Sequence, residues 1–552
     1  MSDYKQTYNF WLEHATDPAV HADLRAMARD EDKIRDAFYK DLEFGTAGLR
    51  GVMEPGTNRL NVYTIFRATL GVARYMQSKG LSSCAITYDS RNNSQLFSET
   101  AAATLASCGI KVYLTRECMP TPYLSYMVRN YKTDMGINVT ASHNAAEYNG
   151  YKVYDNEGCQ LTDAAANEVT QFIKVVNPFD TPIPAFDSYV GGLIVYADGD
   201  MAERYKQSVI AQGLNDAGGI SVVYSPLNGA GYKITPEVLS MVGLKKLEVV
   251  PEQAVPNGDF PTCPYPNPEK AEALDLALKL AAKKKADAVL ANDPDCDRLG
   301  VAVRHNGQYV ILSGNEVGLL LSDYILAYKD EQGTLDPHPV IVKTIVSTVM
   351  VEALAKKYNA EVLNVLTGFK YIGSAIKDLE QKGQARRFLF GFEESCGYLK
   401  GSYVRDKDGV VAAMLTAQCV AYWRKQGKTL IDRLEELKAE LGNSVQKTFS
   451  YTFVGAEGAE KIKDLFVSIR NHPLQKLGAS RITATTDFLT QTALKLPKAN
   501  VLRYNSQDGS QLILRPSGTE PLVKCYVTVQ GDDNTVAEKF EEIKRQLDTL
   551  LA

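Results

Sequence analysis

The chain has 552 residues, of which 45% are hydrophobic and 23% are charged, and its formal charge is −5. This composition is ordinary for a globular protein, and the length predicts about three to five domains because single cores rarely grow beyond roughly 250 residues. The small negative charge argues against a nucleic-acid-binding protein, which would carry a basic patch or stripe.

The cysteine pattern and the apolar runs bear on the cellular setting. The nine cysteines include no Cys-x-x-Cys pair, which favours a reducing cytosol over a disulfide framework. The apolar run 410–423 is too short to span a bilayer and predicts a core helix. The first residues are polar, without an apolar signal core. We therefore expect a cytoplasmic protein that has no membrane partner.

From a charged amphipathic helix at 30–42 and a glycine-rich loop at 44–51, the chain moves into alternating helical and apolar patterns. Such alternation is typical of mainly parallel α/β sheets. The predicted strands are 84–88, 111–114, 135–139, 220–224, 247–250, 288–291, 340–345, 361–366 and 388–391. The predicted helices between them are 65–78, 97–107, 122–130, 234–241, 270–284 and 348–358.

From about residue 440 the pattern changes to strands joined by hairpins, with helices to one side, which predicts an α+β domain. The predicted strands are 451–454, 501–505, 511–514 and 523–529, and the predicted helices are 456–468 and 536–551. We therefore predict three similar α/β domains over 1–188, 189–308 and 309–437, followed by an α+β domain over 438–552.

The first candidate site is the polar loop that follows the predicted strand 135–139. Ser142 and His143 open this loop, and Lys152 lies ten residues after the serine, in a predicted return strand. A serine hydroxyl alone is a poor nucleophile and needs a base, a metal or an incoming phosphate. A hydrolase-like Ser–His pair is one interpretation, but no third triad member or oxyanion loop emerges elsewhere in the sequence.

The second candidate site is Asn-Asp-Pro-Asp-Cys-Asp-Arg at 292–298. Its three carboxylates, Asp293, Asp295 and Asp297, alternate along a segment in which Pro294 excludes a helix interior. In an extended segment this spacing points all three in one direction. Like charges on one face repel unless a cation lies among them, and Mg²⁺ prefers oxygen ligands.

Two alternatives compete with a magnesium site at 292–298. An EF-hand requires glycine where Arg298 stands and glutamate where Arg304 stands, so that interpretation fails. A solvated acidic turn is the other alternative. The metal site is favoured over the turn because the three aspartates close a buried strand.

Two further motifs suit a phosphorylated sugar. Arg-Pro-Ser-Gly-Thr at 515–519 offers a guanidinium, two hydroxyls and a glycine that frees backbone N–H groups, a suitable cradle for a phosphate; a plain turn is the alternative. Gly-Phe-Glu-Glu-Ser at 391–395 places carboxylates and a hydroxyl at a strand end, where α/β proteins bind ligands; a polar loop is the alternative. Segments 367–370 and 405–409 each add a lysine near a strand end.

Together these motifs resemble the α-D-phosphohexomutase family. Thr-Ala-Ser-His-Asn, Asp-Pro-Asp-Cys-Asp-Arg, Gly-Phe-Glu-Glu-Ser and Arg-Pro-Ser-Gly-Thr-Glu-Pro occur in the family's order, and Phe-Gly-Thr-Ala-Gly-Leu-Arg-Gly at 44–51 resembles the loop of its phosphoglucomutase and phosphopentomutase branches. The resemblance covers essentially the whole chain. It implies four domains around one cleft, with mixed sheets in the first three, and an isomerase that uses Mg²⁺ and a bisphosphorylated sugar activator, glucose 1,6-bisphosphate for a glucose substrate.

The resemblance also implies residue roles. Ser142 would be the phosphoserine and, with Asp293, Asp295 and Asp297, a metal ligand. Proton transfer or active-site polarity would fall to Lys152 and His143, and stabilisation of the transferring phosphoryl group to Arg50 and Arg298. The implied sugar contacts are Glu393, Ser395, Thr367, Lys370 and Lys407. The implied contacts of the non-reacting phosphate are Arg515, Ser517, Gly518 and Thr519.

One departure and several alternatives remain. Ala145 stands where the family usually has proline, a residue that shapes the loop without reacting. The leading interpretation is a glucose 1-phosphate/glucose 6-phosphate mutase; mannose, pentose and hexosamine phosphates are alternatives, as are a phosphatase and an inactive sugar-phosphate-binding protein. The expected partner is a small sugar phosphate, and monomer and homodimer are alternatives for the oligomeric state. The C-terminal domain is expected to close over the cleft so that water is excluded.

Overall fold

The computed structural model describes residues 4–45, 48–453, 458–491, 494–517 and 522–551. Within these ranges the chain forms four sheets, each built from consecutive strands of one part of the sequence. Three sheets are mixed, and the last is antiparallel throughout. The predicted class, three α/β domains followed by an α+β domain, is confirmed.

The first sheet carries the serine loop. Its strands are β1 Leu49–Val52, β2 Ser83–Tyr88, β3 Lys111–Leu114, β4 Met135–Val139, β5 Tyr148–Tyr154 and β6 Ile194–Tyr196. The helices of this region are α1 Tyr4–His14, α2 Pro18–Ala26, α3 Glu31–Phe38, α4 Val62–Ser78, α5 Ser94–Ser107, α6 Thr121–Tyr131 and α7 Asp163–Lys174. The strand order is β1-β5-β4-β2-β3-β6. Because β6 pairs with β3, the predicted domain boundary after residue 188 falls before the last strand of this sheet.

The central strands of this sheet follow the expected physics. Helices α5 and α6 both pack on β2 and β4, so these strands are buried over most of their length and read as apolar runs. Strand β1 was predicted as part of a glycine-rich loop. The segment forms a strand because it pairs antiparallel with β5, with Arg50 opposite Gly150. This pairing joins segments that are distant in sequence, and no local sequence pattern indicates it. Helices α1 and α2 were also not predicted.

The second sheet carries the aspartate loop. Its strands are β7 Ser221–Ser225, β8 Lys246–Val249, β9 Ala288–Asn292, β10 Leu299–His305 and β11 Gln308–Leu312, in the order β11-β10-β9-β7-β8. Its helices are α8 Met201–Ile210, α9 Ile234–Met241 and α10 Ala271–Lys284. The predicted boundary after residue 308 falls at the start of β11, which pairs with β10.

The third sheet carries the glutamate loop. Its strands are β12 Val340–Thr344, β13 Glu361–Val365, β14 Phe388–Glu393 and β15 Gly397–Leu399, in the order β13-β12-β14-β15. Its helices are α11 Gly314–Glu331, α12 Met350–Lys357, α13 Phe369–Gln381, α14 Gly409–Lys425 and α15 Leu430–Leu441. Helix α14 contains the apolar run 410–423 and is buried throughout that run, as expected of a core helix.

The fourth sheet is a six-stranded antiparallel one. Its strands are β16 Ser444–Thr452, β17 Lys476–Leu477, β18 Ser480–Asp487, β19 Leu502–Ser506, β20 Gln511–Pro516 and β21 Leu522–Gln530, in the order β16-β21-β20-β19-β18-β17. Its helices are α16 Gly458–Asn471 and α17 Asp533–Leu550. The predicted helix 456–468 begins in 454–457, which lie outside the described residues.

Apolar clusters and buried hydrogen bonds join the domains. One cluster of buried side chains runs from the first sheet's α6 through the second and third sheets. Buried tyrosine hydroxyls form hydrogen bonds across the same boundaries: Tyr154 donates to Asp406 and Tyr205 donates to Asp408, each at 2.8 Å. The fourth domain has its own core. A small separate cluster, which includes Val346, Phe488 and Tyr526, connects it to the third domain. Among the described helices, none is both long and apolar enough to cross a membrane.

A buried ion pair tests the packing of the third domain. Asp323 of α11 is fully buried and accepts two hydrogen bonds from Arg433 of α15, at 2.9 Å and 2.8 Å. Asp323→Ala should lower the free energy of unfolding of this domain by roughly 3 kcal/mol, because Nε and Nη2 of the buried guanidinium lose their partner while only Nη1 keeps its carboxylates, Glu436 and Glu440. The measurement is urea unfolding followed by Trp423 fluorescence in a Trp11→Phe background, since the chain has only these two tryptophans. The exposed Asp330→Ala on the same helix is the control; equal midpoints for the two variants would contradict the prediction.

Candidate active site

The serine loop follows β4 and places Ser142 against the second domain. Ser142 is 3% exposed and has φ +54°, a left-handed conformation that is uncommon for residues other than glycine. Its Oγ donates to Oδ2 of Asp293 at 2.9 Å and lies 3.1 Å from Nδ1 of His143. The predicted nucleophile and the predicted metal-binding loop therefore meet directly, although they lie on different sheets.

The three aspartates form one cluster. Asp293, Asp295 and Asp297 are fully buried, and one carboxylate oxygen from each lies within 4.8 Å of the others. Burial first, and then the neighbouring charges of Asp295 and Asp297, raises the pKa of Asp293 well above its usual range. Burial acts in the same direction on Asp295, but the ammonium groups of Lys152 and Lys407 outweigh it and lower the pKa of that carboxyl.

The donor set of this cluster fits a hard divalent cation. Oδ1 of Asp295 and Oδ1 of Asp297 are buried, and no described residue offers either oxygen a hydrogen bond. Orphaned buried carboxylate oxygens are costly unless a cation or a donor reaches them. Three carboxylates with a serine oxygen beside them are the oxygen ligands that Mg²⁺ prefers. Asp293, Asp295 and Asp297, with an oxygen on Ser142, would hold such an ion.

Two buried lysines flank the cluster from opposite domains. Lys152 of β5 places Nζ 2.9 Å from Oδ2 of Asp295 and 3.8 Å from Oδ2 of Asp297. Lys407, from the third domain, places Nζ 2.7 Å from Oδ2 of Asp297. Both predicted residues are therefore drawn into one network. Two ammonium groups leave part of the carboxylate charge unbalanced.

His143 and the two predicted arginines also lie at this cluster. Burial lowers the pKa of His143 well below its usual range, and the positive charges of Arg298 and Arg50 lower it further. The imidazole is therefore neutral near physiological pH. Arg50 donates to Oδ1 of Asn144 at 3.1 Å. Arg298 is ion-paired with Glu269, and its Nε lies 3.9 Å from Oδ2 of Asp293.

The glutamate loop follows β14 of the third sheet. Oε1 of Glu393 accepts the backbone N–H of Gly368 at 2.8 Å. Burial raises the pKa of Glu393 to about 7, although the charge of Lys407 acts in the opposite direction. Ser395 is partly buried in the turn that leads to β15. The loops at 366–368 and 393–396 are thus in contact, and Lys407 connects them electrostatically to the aspartate cluster.

The remaining predicted residues line a second subsite. A cavity of about 490 Å³ lies where the first, third and fourth domains meet, and Thr367, Lys370, Arg515 and Ser517 are among its lining residues. Lys370 is ion-paired with Asp163, at the start of α7. Gly518 and Thr519 lie outside the described residues. A larger cavity of about 720 Å³, between the third and fourth domains, has none of the predicted site residues in its described lining.

The sequence analysis missed several residues at these two subsites. Thr121 donates from its Oγ1 to Oδ2 of Asp295 at 2.8 Å and from its backbone N–H to the Asp295 carbonyl, also at 2.8 Å. Asn138 donates to Thr121 Oγ1 at 2.7 Å. Lys498 and Asn500 line the 490 Å³ cavity. Asn138 had a usable signal, a polar residue inside an otherwise apolar strand, whereas the others depend on contacts between domains.

Comparison with known proteins gives consistent matches along the chain. Family models for phosphoglucomutase/phosphomannomutase match in order: alpha/beta/alpha domain I at 41–177, domain II at 203–307, domain III at 313–440 and the C-terminal domain at 470–546. A phosphoglucomutase of Staphylococcus aureus (strain MRSA252) is 35% identical over 547 residues, covering 96% of this chain and 97% of the relative. A phosphoglucomutase of Staphylococcus epidermidis is 35% identical over 549 residues, with coverages of 97% and 99%.

Solved structures agree on the fold. The crystal structure of the Paramecium phosphoprotein pp63/parafusin, described as a phosphoglucomutase in its open form, superposes with a TM-score of 0.68 at 18% identity over 93% of this chain and 94% of that one. The ordered domain matches and the full-length relatives agree with the motifs that meet at the aspartate cluster. The chain belongs to the α-D-phosphohexomutase family and is an enzyme of its phosphohexomutase (isomerase) class.

Proposed function

We propose that the enzyme interconverts glucose 1-phosphate and glucose 6-phosphate, with Ser142 as a phosphoserine and glucose 1,6-bisphosphate as the intermediate. The observation that carries the proposal is the 2.9 Å hydrogen bond from Ser142 Oγ to Asp293, inside a cluster of three buried aspartates. This places a hydroxyl where a cation-stabilised phosphoryl group can reside. The choice of glucose is supported by relatives named phosphoglucomutase.

Each domain contributes one loop to this scheme. We assign the serine loop to domain 1–188, the aspartate loop to 189–308, the glutamate loop to 309–437 and the phosphate cradle to 438–552. The nine cysteines are all free thiols, which fits the reducing cytoplasm that we propose for the enzyme.

The chemistry is two phosphoryl transfers in opposite directions. In the first, the bond between phosphorus and Ser142 Oγ breaks, and a bond forms from phosphorus to the free hydroxyl oxygen of the sugar phosphate, whose proton passes to a base. The departing Oγ takes up a proton and becomes a hydroxyl group. The bisphosphate then turns over, and its other phosphoryl group returns to Ser142 Oγ. Mg²⁺, when bound, offsets negative charge on the oxygens of the transferring group.

The chain's own groups serve the proton and the charge. In the return step Ser142 Oγ loses its proton, and we assign His143 as the base that accepts it, because its imidazole is neutral and Nδ1 lies 3.1 Å from Oγ. Lys152 is ion-paired with carboxylates, so its role is to place positive charge beside the phosphoryl group. Arg50 and Arg298, whose positive charges both act on His143, would add to that charge.

Sugar and distal phosphate fall to the other two domains. Glu393 and Ser395 would bind sugar hydroxyls, with Thr367 and Lys407 beside them. Arg515 and Ser517, with Lys370, would hold the non-reacting phosphate in the 490 Å³ cavity that they line. The sequence motif adds Gly518 and Thr519 as proposed contacts of that phosphate. Because the fourth domain joins the third through a small apolar contact, we propose that it closes on the bound substrate and excludes water.

Removing the serine hydroxyl tests the carrier role. Ser142→Ala should lower kcat for glucose 1-phosphate by a factor of about 10⁴ or more, because the phosphoryl group has no acceptor on the enzyme. A coupled assay with glucose 1-phosphate, mannose 1-phosphate and ribose 1-phosphate measures activity and ranks the sugars. Ser395→Ala, which leaves the carrier in place, should retain phosphorylation of Ser142. Unchanged mutase activity in Ser142→Ala would overturn the mechanism.

Metal removal tests the aspartate cluster. Chelation should abolish activity, and added Mg²⁺ should restore it. Asp297→Asn should weaken Mg²⁺ binding by roughly 10-fold or more, because it removes one anionic ligand from the set. Titration calorimetry with Mg²⁺ measures the change. Asp275→Asn, an exposed carboxylate on α10 of the same domain, is the matched control, and equal Mg²⁺ affinities for the two variants would rule out the cluster as the metal site.

The raised pKa of Glu393 predicts a pH dependence of stability. The folded-state value of about 7 exceeds the ordinary value of 4.5, so the native state binds more protons between these values and loses stability as pH rises through them. The loss attributable to this carboxyl is about 3 kcal/mol at most, at 1.36 kcal/mol per pKa unit. Denaturant titrations of the wild type and of Glu393→Gln at pH 5 and pH 8 measure it. The variant should lose less stability than the wild type over this interval, and parallel losses would contradict the prediction.

A further inference from the structure

Arg91 donates four hydrogen bonds to the serine loop. Arg91 lies three residues after the end of β2 and two residues after Asp89, at the sheet edge from which the serine loop emerges. Its Nη1 donates to the carbonyls of Ala145 and Tyr148 at 2.8 Å and 3.0 Å. Its Nη2 donates to the carbonyl of Ser142 at 2.7 Å and to that of Asn144. One guanidinium thus gathers four carbonyl groups of a single loop.

Asp89 completes the arrangement from the other side. Its Oδ2 lies 3.3 Å from Arg91 Nε and accepts the hydroxyl of Thr140 at 2.6 Å. That same hydroxyl oxygen accepts the backbone N–H of Ser142 at 2.8 Å. Both the N–H and the C=O of Ser142 are therefore held by groups that are themselves anchored to the end of β2.

This anchoring matters because the backbone of Ser142 is strained. Its φ of +54° is unfavourable for a residue with a side chain, and such a conformation persists only where its surroundings over-determine it. Arg91 and Asp89 are 3% and 1% exposed, and the hydrogen bonds from Nη1 and Nη2 of Arg91 hold the buried guanidinium against the loop. The left-handed turn is what directs Oγ out of the loop.

The second domain packs against the same arginine. The ring of Phe260 lies 5.0 Å from the guanidinium carbon, and Asn92 donates to Oδ1 of Asp259 at 2.7 Å. Arg91 thus lies between the serine loop and the domain that contains the aspartates, and it contacts both. Its position couples the placement of Ser142 to that of Asp293.

We infer that Arg91, held by Asp89 and Phe260, is a positioning residue that fixes Ser142 Oγ relative to the aspartate cluster throughout both phosphoryl transfers. The inference rests on the proposed phosphoserine role of Ser142. The loop gains and loses a doubly charged group in each cycle, so a rigid support that does not touch the phosphoryl oxygens keeps the attacking and leaving atoms aligned. An error of about 1 Å in such alignment costs on the order of 100-fold in rate.

The test compares two buried arginines of the same domain. Arg91→Lys keeps the charge but cannot reach four carbonyls, so kcat should fall about 10- to 100-fold while KM for glucose 1-phosphate changes less than about 2-fold. Arg59→Lys is the control: Arg59 is 8% exposed and donates to two carbonyls and two carboxylates away from the site. It should lose comparable stability and keep kcat. Equal effects of the two variants on kcat would overturn the inference.

Two further measurements keep the outcome clear. Intact mass after incubation with glucose 1,6-bisphosphate reports phosphorylation of the wild-type enzyme; without it the proposed function fails, whatever the variants do. If Arg91→Lys does not fold, Thr140→Val removes the hydroxyl between Asp89 and the Ser142 N–H at nearly constant volume. A loss of kcat at constant KM in this variant supports the positioning role, and a folded Thr140→Val enzyme with wild-type kcat overturns it.

Discussion

The structure depends on bringing three buried carboxylates to one point beside a serine hydroxyl. Asp293, Asp295 and Asp297 are fully buried and close enough to repel strongly, and burying like charges is unfavourable without compensation. Lys152 and Lys407 supply part of it from two other domains. A bound divalent cation would supply more positive charge, and that charge would stabilise an anionic phosphoryl group on Ser142.

The arrangement of the domains follows from this electrostatic requirement. The part of the first domain around α6 packs in one apolar cluster with the second and third domains, while most of its core is a separate cluster. Buried hydrogen bonds such as Tyr154 to Asp406 cross the same boundaries and help to hold Ser142, the aspartates and Lys407 in place relative to one another. The fourth domain has a separate core and a smaller contact with the third. The proposed closure of the fourth domain would use this difference: the contacts among the first three domains would hold the reacting groups still while a bisphosphate reorients.

The sequence predicted the parts whose causes are local. Strand β4 has the predicted bounds of 135–139 because an apolar run ends at a polar loop. The alternating aspartates predicted a metal site, and the structure brings their three carboxylates within 4.8 Å of one another. The missing parts have causes that are distant in sequence. Strand β1 needs β5, Thr121 reaches Asp295 across a domain boundary, and the carbonyls that Arg91 binds lie more than fifty residues further along the chain. Lys370, predicted as a ligand contact, is paired with Asp163, a partner that no local pattern identified.

The central claim is that Ser142 carries the phosphoryl group between the two ends of one sugar. The direct measurement is to incubate the enzyme with glucose 1,6-bisphosphate carrying ³²P, isolate the labelled protein, and add unlabelled glucose 1-phosphate. The account predicts that the label is found on the peptide containing Ser142 and then passes, through glucose 1,6-bisphosphate, into glucose 6-phosphate. Label on another residue, or its release mainly as inorganic phosphate, would contradict the account.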